Sequence, residues 1–111
     1  MFKPVLESDE REVATYRANR SQGSRAVGGH LLLTDRRLIF YPHKVDRATG
    51  GNAWECRLTA LTDVGLSERG RNPFDGSLRR RLKVGHGGSL DLFVVNKAEA
   101  VAAAIRSAAS L

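Results

Sequence analysis

Apolar residues recur along this chain in short runs with a period of two, cut by clusters of Gly, Pro, Asn, Asp and Ser, which is the punctuation of strands and turns. The densest run is Gly29-His-Leu-Leu-Leu-Thr-Asp-Arg-Arg-Leu-Ile-Phe-Tyr-Pro, where residues 31–33 and 38–41 flank a polar turn at Asp35-Arg36. If Thr34 faces Arg37, Leu33 lies opposite Leu38 and Leu31 opposite Phe40. Directly opposed residues share a face, so these four go to an interior. The same register pairs Leu32 with Ile39 and His30 with Tyr41 on the outer face. Upstream, residues 12–20 alternate around Val13, Tyr16 and Ala18 and run into a loop at 21–24. Downstream, the polar stretch after Pro42 reads as a long loop ending near Asn52, and residues 54–58 resume the strand pattern. Residues 62–67 form a shorter strand around Val64 and Leu66, and 69–76 a second loop. Residues 78–84 and 90–95 then flank Gly85-His-Gly-Gly, a hairpin turn in which glycines supply positive φ.

The period changes in the tail. Ala98, Val101, Ala102, Ile105 and Ala109 repeat at helical spacing, a narrow stripe of mostly small side chains suited to close packing on a sheet. Asn96 stands where an N-cap is expected, with Glu99 in the capping-box position. Seven short strands and one amphipathic helix describe a mainly β domain, a partly open antiparallel barrel closed at one end by the helix. A chain of 111 residues suits one domain with one core, expected over 1–111 with its body at about 7–109.

The 29–42 hairpin resembles that of the GRAM branch of the pleckstrin-homology (PH) superfamily, which often reads apolar-Thr-Asn/Asp-Arg-Arg-Leu-apolar-Phe. Leu92-Phe-Val-Val-Asn96, a last strand running straight into a helix, is a second similar piece. The resemblance spans about 7–109 and implies a stand-alone, non-catalytic binding module. In PH domains the loops after the first, third and sixth strands gather at the open end of the barrel and can hold lipid headgroups. The resemblance therefore implies an anion site at Arg20, Arg25, His43, Lys44, Arg47 and His86.

Charge agrees with an acidic partner without specifying one. Lys and Arg number 18 against 12 Asp and Glu, a net +6, so an anionic membrane surface, a phosphate-bearing ligand or a nucleic acid all suit it. Arginine outnumbers lysine 14 to 4 and alanine is abundant, a bias that high-GC bacterial coding also produces. A second basic set, Arg69, Arg71, Arg79, Arg81 and Lys83, reads either as a solvated strand face or as a stripe for nucleic acid. Alternation leaves Arg80 in the row of Leu78, Leu82 and Val84, so it must snorkel, pair with a carboxylate such as Asp63, or lie beyond the barrel edge. Trp54, Phe40 and Phe93 all read as core, leaving no aromatic platform among the arginines for single strands to stack on. Leu32, Ile39 and Tyr41 on the outer face are either scattered surface apolars or an interface for a protein partner or a second copy.

Candidate chemistry is sparse. The sequence holds no serine elbow, phosphate loop, His-Glu-x-x-His or calcium loop. His30, His43 and His86 lack ligand spacing, so no metal or cofactor is expected. Cys56 falls on the apolar side of its strand and reads as a buried, inert thiol. Apolar runs are too short to cross a bilayer, and the start of the chain lacks the pattern of a secretory signal, which gives the expectation of a cytoplasmic protein, possible at the membrane periphery. The reading is a non-catalytic module for a protein partner or an anionic, phosphate-bearing ligand, with a nucleic-acid-binding barrel as the alternative and an enzyme third.

Overall fold

A computed structural model describes residues 3–68 and 80–111. Its elements are β1 (Glu12–Gln22), β2 (Arg25–Thr34), β3 (Arg37–Pro42), α1 (Lys44–Ala48), β4 (Trp54–Arg57), a 3₁₀ turn (Leu58–Ala60), β5 (Leu61–Leu66), β6 (Leu82–His86), β7 (Ser89–Val95) and α2 (Ala98–Ala109). The strands form one bent antiparallel sheet in the order β4-β3-β2-β1-β7-β6-β5, with β4 and β5 at its edges. This is the partly open, helix-closed barrel that the pattern predicts. The hairpin register is the expected one, Leu33 to Leu38, Leu32 to Ile39, Leu31 to Phe40 and His30 to Tyr41. Its inner row joins Val64, Leu82, Val84 and Phe93, and Val101, Ala102 and Ile105 of α2 close that core. Arg106 ties α2 to β5 by donating to the Val64 carbonyl at 2.8 Å.

Local differences have local causes. Val13 does not join the inner row: three residues from Tyr16, it falls on the opposite face of β1, at a bulge between Glu12 and Ala14, and is exposed. The stretch after Pro42 holds the short helix α1 rather than loop alone. Asn96 does not cap α2. Lys97 takes the N-cap position in a left-handed conformation (φ 53°, ψ 47°) with no side-chain cap, the sharp turn that carries β7 into the helix. At Gly29, where β2 crosses under the end of β3, a Cβ would strike the Tyr41 carbonyl oxygen and come within 2.7 Å of Pro42 Cα.

The largest correction concerns Leu32, Ile39 and Tyr41. They do lie on the outer face, but they are buried in a second small cluster with Leu6, under the chain's own amino-terminal strap, residues 3–11. The strap is held by a buried ion pair. Arg37 donates to the Glu10 carboxylate through Nε (2.9 Å) and Nη2 (2.6 Å), while Thr34 Oγ1 donates at 2.6 Å and the Glu7 amide at 2.8 Å. Arg37 also reaches Glu55 at 2.9 Å and the Val5 carbonyl at 3.2 Å. With its side chain fully buried, Glu10 must be paired to stay ionised. The Arg37 fork, with the Thr34 and Glu7 donors, outweighs burial and holds its pKa down to about 2. Arg57 pairs with Glu7, and Arg11 and Asp35 exchange two hydrogen bonds, both 3.0 Å, fixing the strap's far end. The apolar outer row thus has an intramolecular cover, which removes it as an open interface.

Candidate functional site

The open end of the barrel is built by the β1–β2 turn, the α1 segment and the β6–β7 turn. The β1–β2 turn rests on Gly23 (φ 62°) and the β6–β7 turn on Gly87 and Gly88 (φ 52° and 81°), left-handed positions that glycine takes without strain. The six residues expected to gather there as one anion site divide into four groups. Arg20 and His86 meet across Asp91, Arg20 Nη2 at 2.8 Å from one carboxylate oxygen and His86 Nε2 at 2.7 Å from the other. Trp54 packs beside them, its ring 5.4 Å from those of His86 and Phe93. Arg25 turns instead to α1, donating to the Thr49 carbonyl and to Thr49 Oγ1 (2.8 Å) with Asp46 at 3.5 Å. Gln22 bridges the same segment, donating to Gly50 O (2.9 Å) and accepting from the Asn52 amide (3.1 Å). His43 faces the strap side, edge-on to His30, which stacks on Tyr41. Burial, then the charges of His43 and Arg17, push the His30 pKa down.

Arg20 and Arg25 are therefore framework. Their charges are met by Asp91 and Asp46; Arg20 ties β1 to β7, and Arg25 ties the β1–β2 turn to α1. Lys44 and Arg47 are exposed on α1. Asp46 is the one charged residue of α1 turned inward, so the helix shows solvent Lys44, Val45, Arg47 and Ala48, with Val45 74% exposed. Arg47 also lines a groove of about 450 Å³ with Lys3, Pro4 and Val5 of the strap, floored by Ile39 and Tyr41 and bordered by Trp54. Val5 is 89% exposed. Two bare apolar tips, Val5 and Val45, thus stand on segments that meet at one groove, each with basic neighbours, Lys3 for one and Lys44 and Arg47 for the other.

Sequence reasoning missed Asp46, Asp91, Val45 and the whole strap. Asp91 carried a signal, since it shares the alternating row of Phe93 and Val95, where a carboxylate needs a partner. For α1 the signal was an apolar residue between two cations.

The second basic set is partly internal. Arg81 is half-buried and donates to Ser21 Oγ at 3.0 Å, and Lys83 pairs with Asp63 at 3.6 Å. Arg69, Arg71 and Arg79 lie outside the described residues. Arg80 precedes β6 and is exposed, its Nε 3.3 Å from the Ser67 carbonyl, so it escapes the core by lying beyond the strand end. Cys56 is buried, and burial, followed by the charge of Asp91, raises its thiol pKa. Among the described residues no group of three or more His, Cys, Asp or Glu could hold a metal, and no helix is long and apolar enough to cross a membrane.

No protein-family model and no curated protein matches the sequence. Solved structures match the fold. The chain is similar to the C-terminal domain of an unknown protein from Leishmania infantum (TM-score 0.71, 14% identity, 94% of this chain and 88% of that one). It is similar also to the Vps36 N-terminal PH domain (0.69, 17%, 97% and 85%) and to the hSac2 domain of the human phosphoinositide phosphatase Sac2 (0.62, 14%, 95% and 73%). At these identities the likeness establishes a PH-like fold.

Proposed function

We propose that this PH-like domain is a non-catalytic binding module that docks on an anionic lipid surface through α1 and the tip of the strap. The observation that carries this reading is Val45, bare between Lys44 and Arg47 on a helix whose inward side is anchored by Arg25 and Asp46. A small apolar tip can enter the headgroup boundary while flanking cations stay at the phosphates. Each basic residue near an anionic leaflet contributes about 1 kcal/mol. This reading supports a cytoplasmic, membrane-peripheral location, where anionic lipid concentrates. Assignment to the GRAM branch, and to a bacterial form of it, rests on the hairpin residues and the arginine-rich composition. A protein partner is the second reading, favoured by the groove that Arg47, Trp54 and the strap residue Val5 line.

The test is co-sedimentation with vesicles of neutral lipid alone or mixed with phosphatidylserine. Wild type should pellet with the anionic vesicles and be released as salt rises. Lys44→Glu with Arg47→Glu should weaken binding at least tenfold, whereas Arg81→Ser with Lys83→Ser should change it little. Equal pelleting of wild type and the α1 variant would remove the site, and loss in the Arg81 and Lys83 variant alone would move it to the second basic set.

A further inference from the structure

Among the described residues nothing pairs with the outer edge of β4. The strand is short and has no proline, lysine or bulge, and the charges that guard its edge, Glu55 and Arg57, are of opposite sign and so able to pair with a second copy of themselves. Its hydrogen-bonding phase follows from the Leu58 amide, which donates to the Arg36 carbonyl at 3.0 Å. Antiparallel pairs alternate between bonded and unbonded. In the register Arg37 to Arg57, Leu38 to Cys56, Ile39 to Glu55, it is therefore Trp54 and Cys56 that bond to β3. Glu55 and Arg57 turn their amides and carbonyls to the open edge, and both side chains are exposed.

We propose that this edge pairs antiparallel with the same edge of a second copy, joining two sheets into one. Only residues with outward backbone groups can form bonded pairs, which leaves three registers: Glu55 opposite Glu55, Arg57 opposite Arg57, or Glu55 opposite Arg57. The first two oppose like charges and the third opposes unlike ones, which selects it. The two-fold axis then passes midway between Cys56 and Cys56 of the second copy. Two symmetry-related pairs, Glu55 with Arg57 of the second copy, each exchange both backbone bonds, and Trp54 lies opposite Leu58. In this register the segment Trp-Glu-Cys-Arg-Leu is self-complementary about Cys56, apolar opposite apolar and acid opposite base, as an isologous contact requires. The charged side chains extend a network already present, because Arg57 holds Glu7 and Glu55 holds Arg37 within each copy. Trp54 and Glu55 border the groove that Arg47 and the strap also line, so the dimer is tested without lipid to keep the two readings distinguishable.

Sedimentation equilibrium of the full chain over a wide concentration range decides it. Wild type should show a reversible monomer–dimer equilibrium. Arg57→Pro removes one outward amide, at a residue whose φ of −65° already suits proline, so it should weaken the dimer at least tenfold with the fold intact by circular dichroism. Arg57→Glu should weaken it similarly, and adding Glu55→Arg to that variant should restore it. A wild type that stays monomeric to its solubility limit, or a dimer unchanged by Arg57→Pro, overturns the proposal. A double swap that folds but does not re-form the dimer overturns the register.

Discussion

The outer face of the β2–β3 hairpin and the α1 end of the barrel both put apolar residues beside charges, yet they are built to opposite ends. On the hairpin face Leu32, Ile39 and Tyr41 are covered by Leu6, and the charges beneath the strap, Glu10 and Arg37, are spent on each other and on Thr34, Glu7 and Glu55. At α1 the inward residue, Asp46, faces Arg25, and the apolar tip Val45 is left bare on a short helix that also exposes Lys44 and Arg47. A charge buried with several hydrogen bonds stabilises a shape. An exposed charge beside an exposed apolar residue adds nothing comparable to the fold and remains available to something outside it.

The strongest way to break the contrast is Glu10→Ala, which leaves Arg37 buried without its main partner. Losing one member of a buried pair costs about 3–5 kcal/mol, so urea unfolding should show a shift of that order. The pH profile tests the same pair. Because folding lowers the Glu10 pKa to about 2 from an ordinary value near 4.5, its contribution is complete above the unfolded value and drains away as pH falls through that interval. Thermal melts should thus lose stability between roughly pH 4.5 and pH 2, and Glu10→Gln should flatten that part of the profile. A smaller effect comes from Gly29→Ala, which forces the backbones of β2 and β3 apart and should cost about 1–3 kcal/mol in the same urea assay. Smallest of all, Lys44→Glu with Arg47→Glu should move stability by no more than about 0.5 kcal/mol while changing vesicle binding.

The hairpin was legible because a strand's side-chain period is two. Once Thr34 faces Arg37, every other pair follows, and the faces of Leu31 to Leu33 and Leu38 to Tyr41 with them. The seven strands and the burial of Cys56 followed from the same periodicity, and the closing helix from its change to helical spacing after residue 96. The strap was not legible because residues 3–11 have no period and a single half-buried leucine, and its anchoring depends on Glu10 meeting Arg37, 27 residues away. The open end failed for a similar reason. Basic residues can be gathered by loop position, but whether they are free depends on carboxylates elsewhere, and Asp91 lies 71 residues from the Arg20 it neutralises. At α1, five residues without a side-chain cap gave too little pattern to separate a helix from a loop.

The most direct measurement places an environment-sensitive fluorophore at the tip itself. In a Cys56→Ala background, a label on Val45→Cys is compared with one on Thr59→Cys, which sits in the 3₁₀ turn at the other end of β3. Docking through α1 predicts that phosphatidylserine vesicles blue-shift and brighten the Val45 label, reversibly with salt, and leave the Thr59 label unchanged. Equal responses from both labels, or a Val45 label that stays in water while the protein pellets with the vesicles, would contradict it.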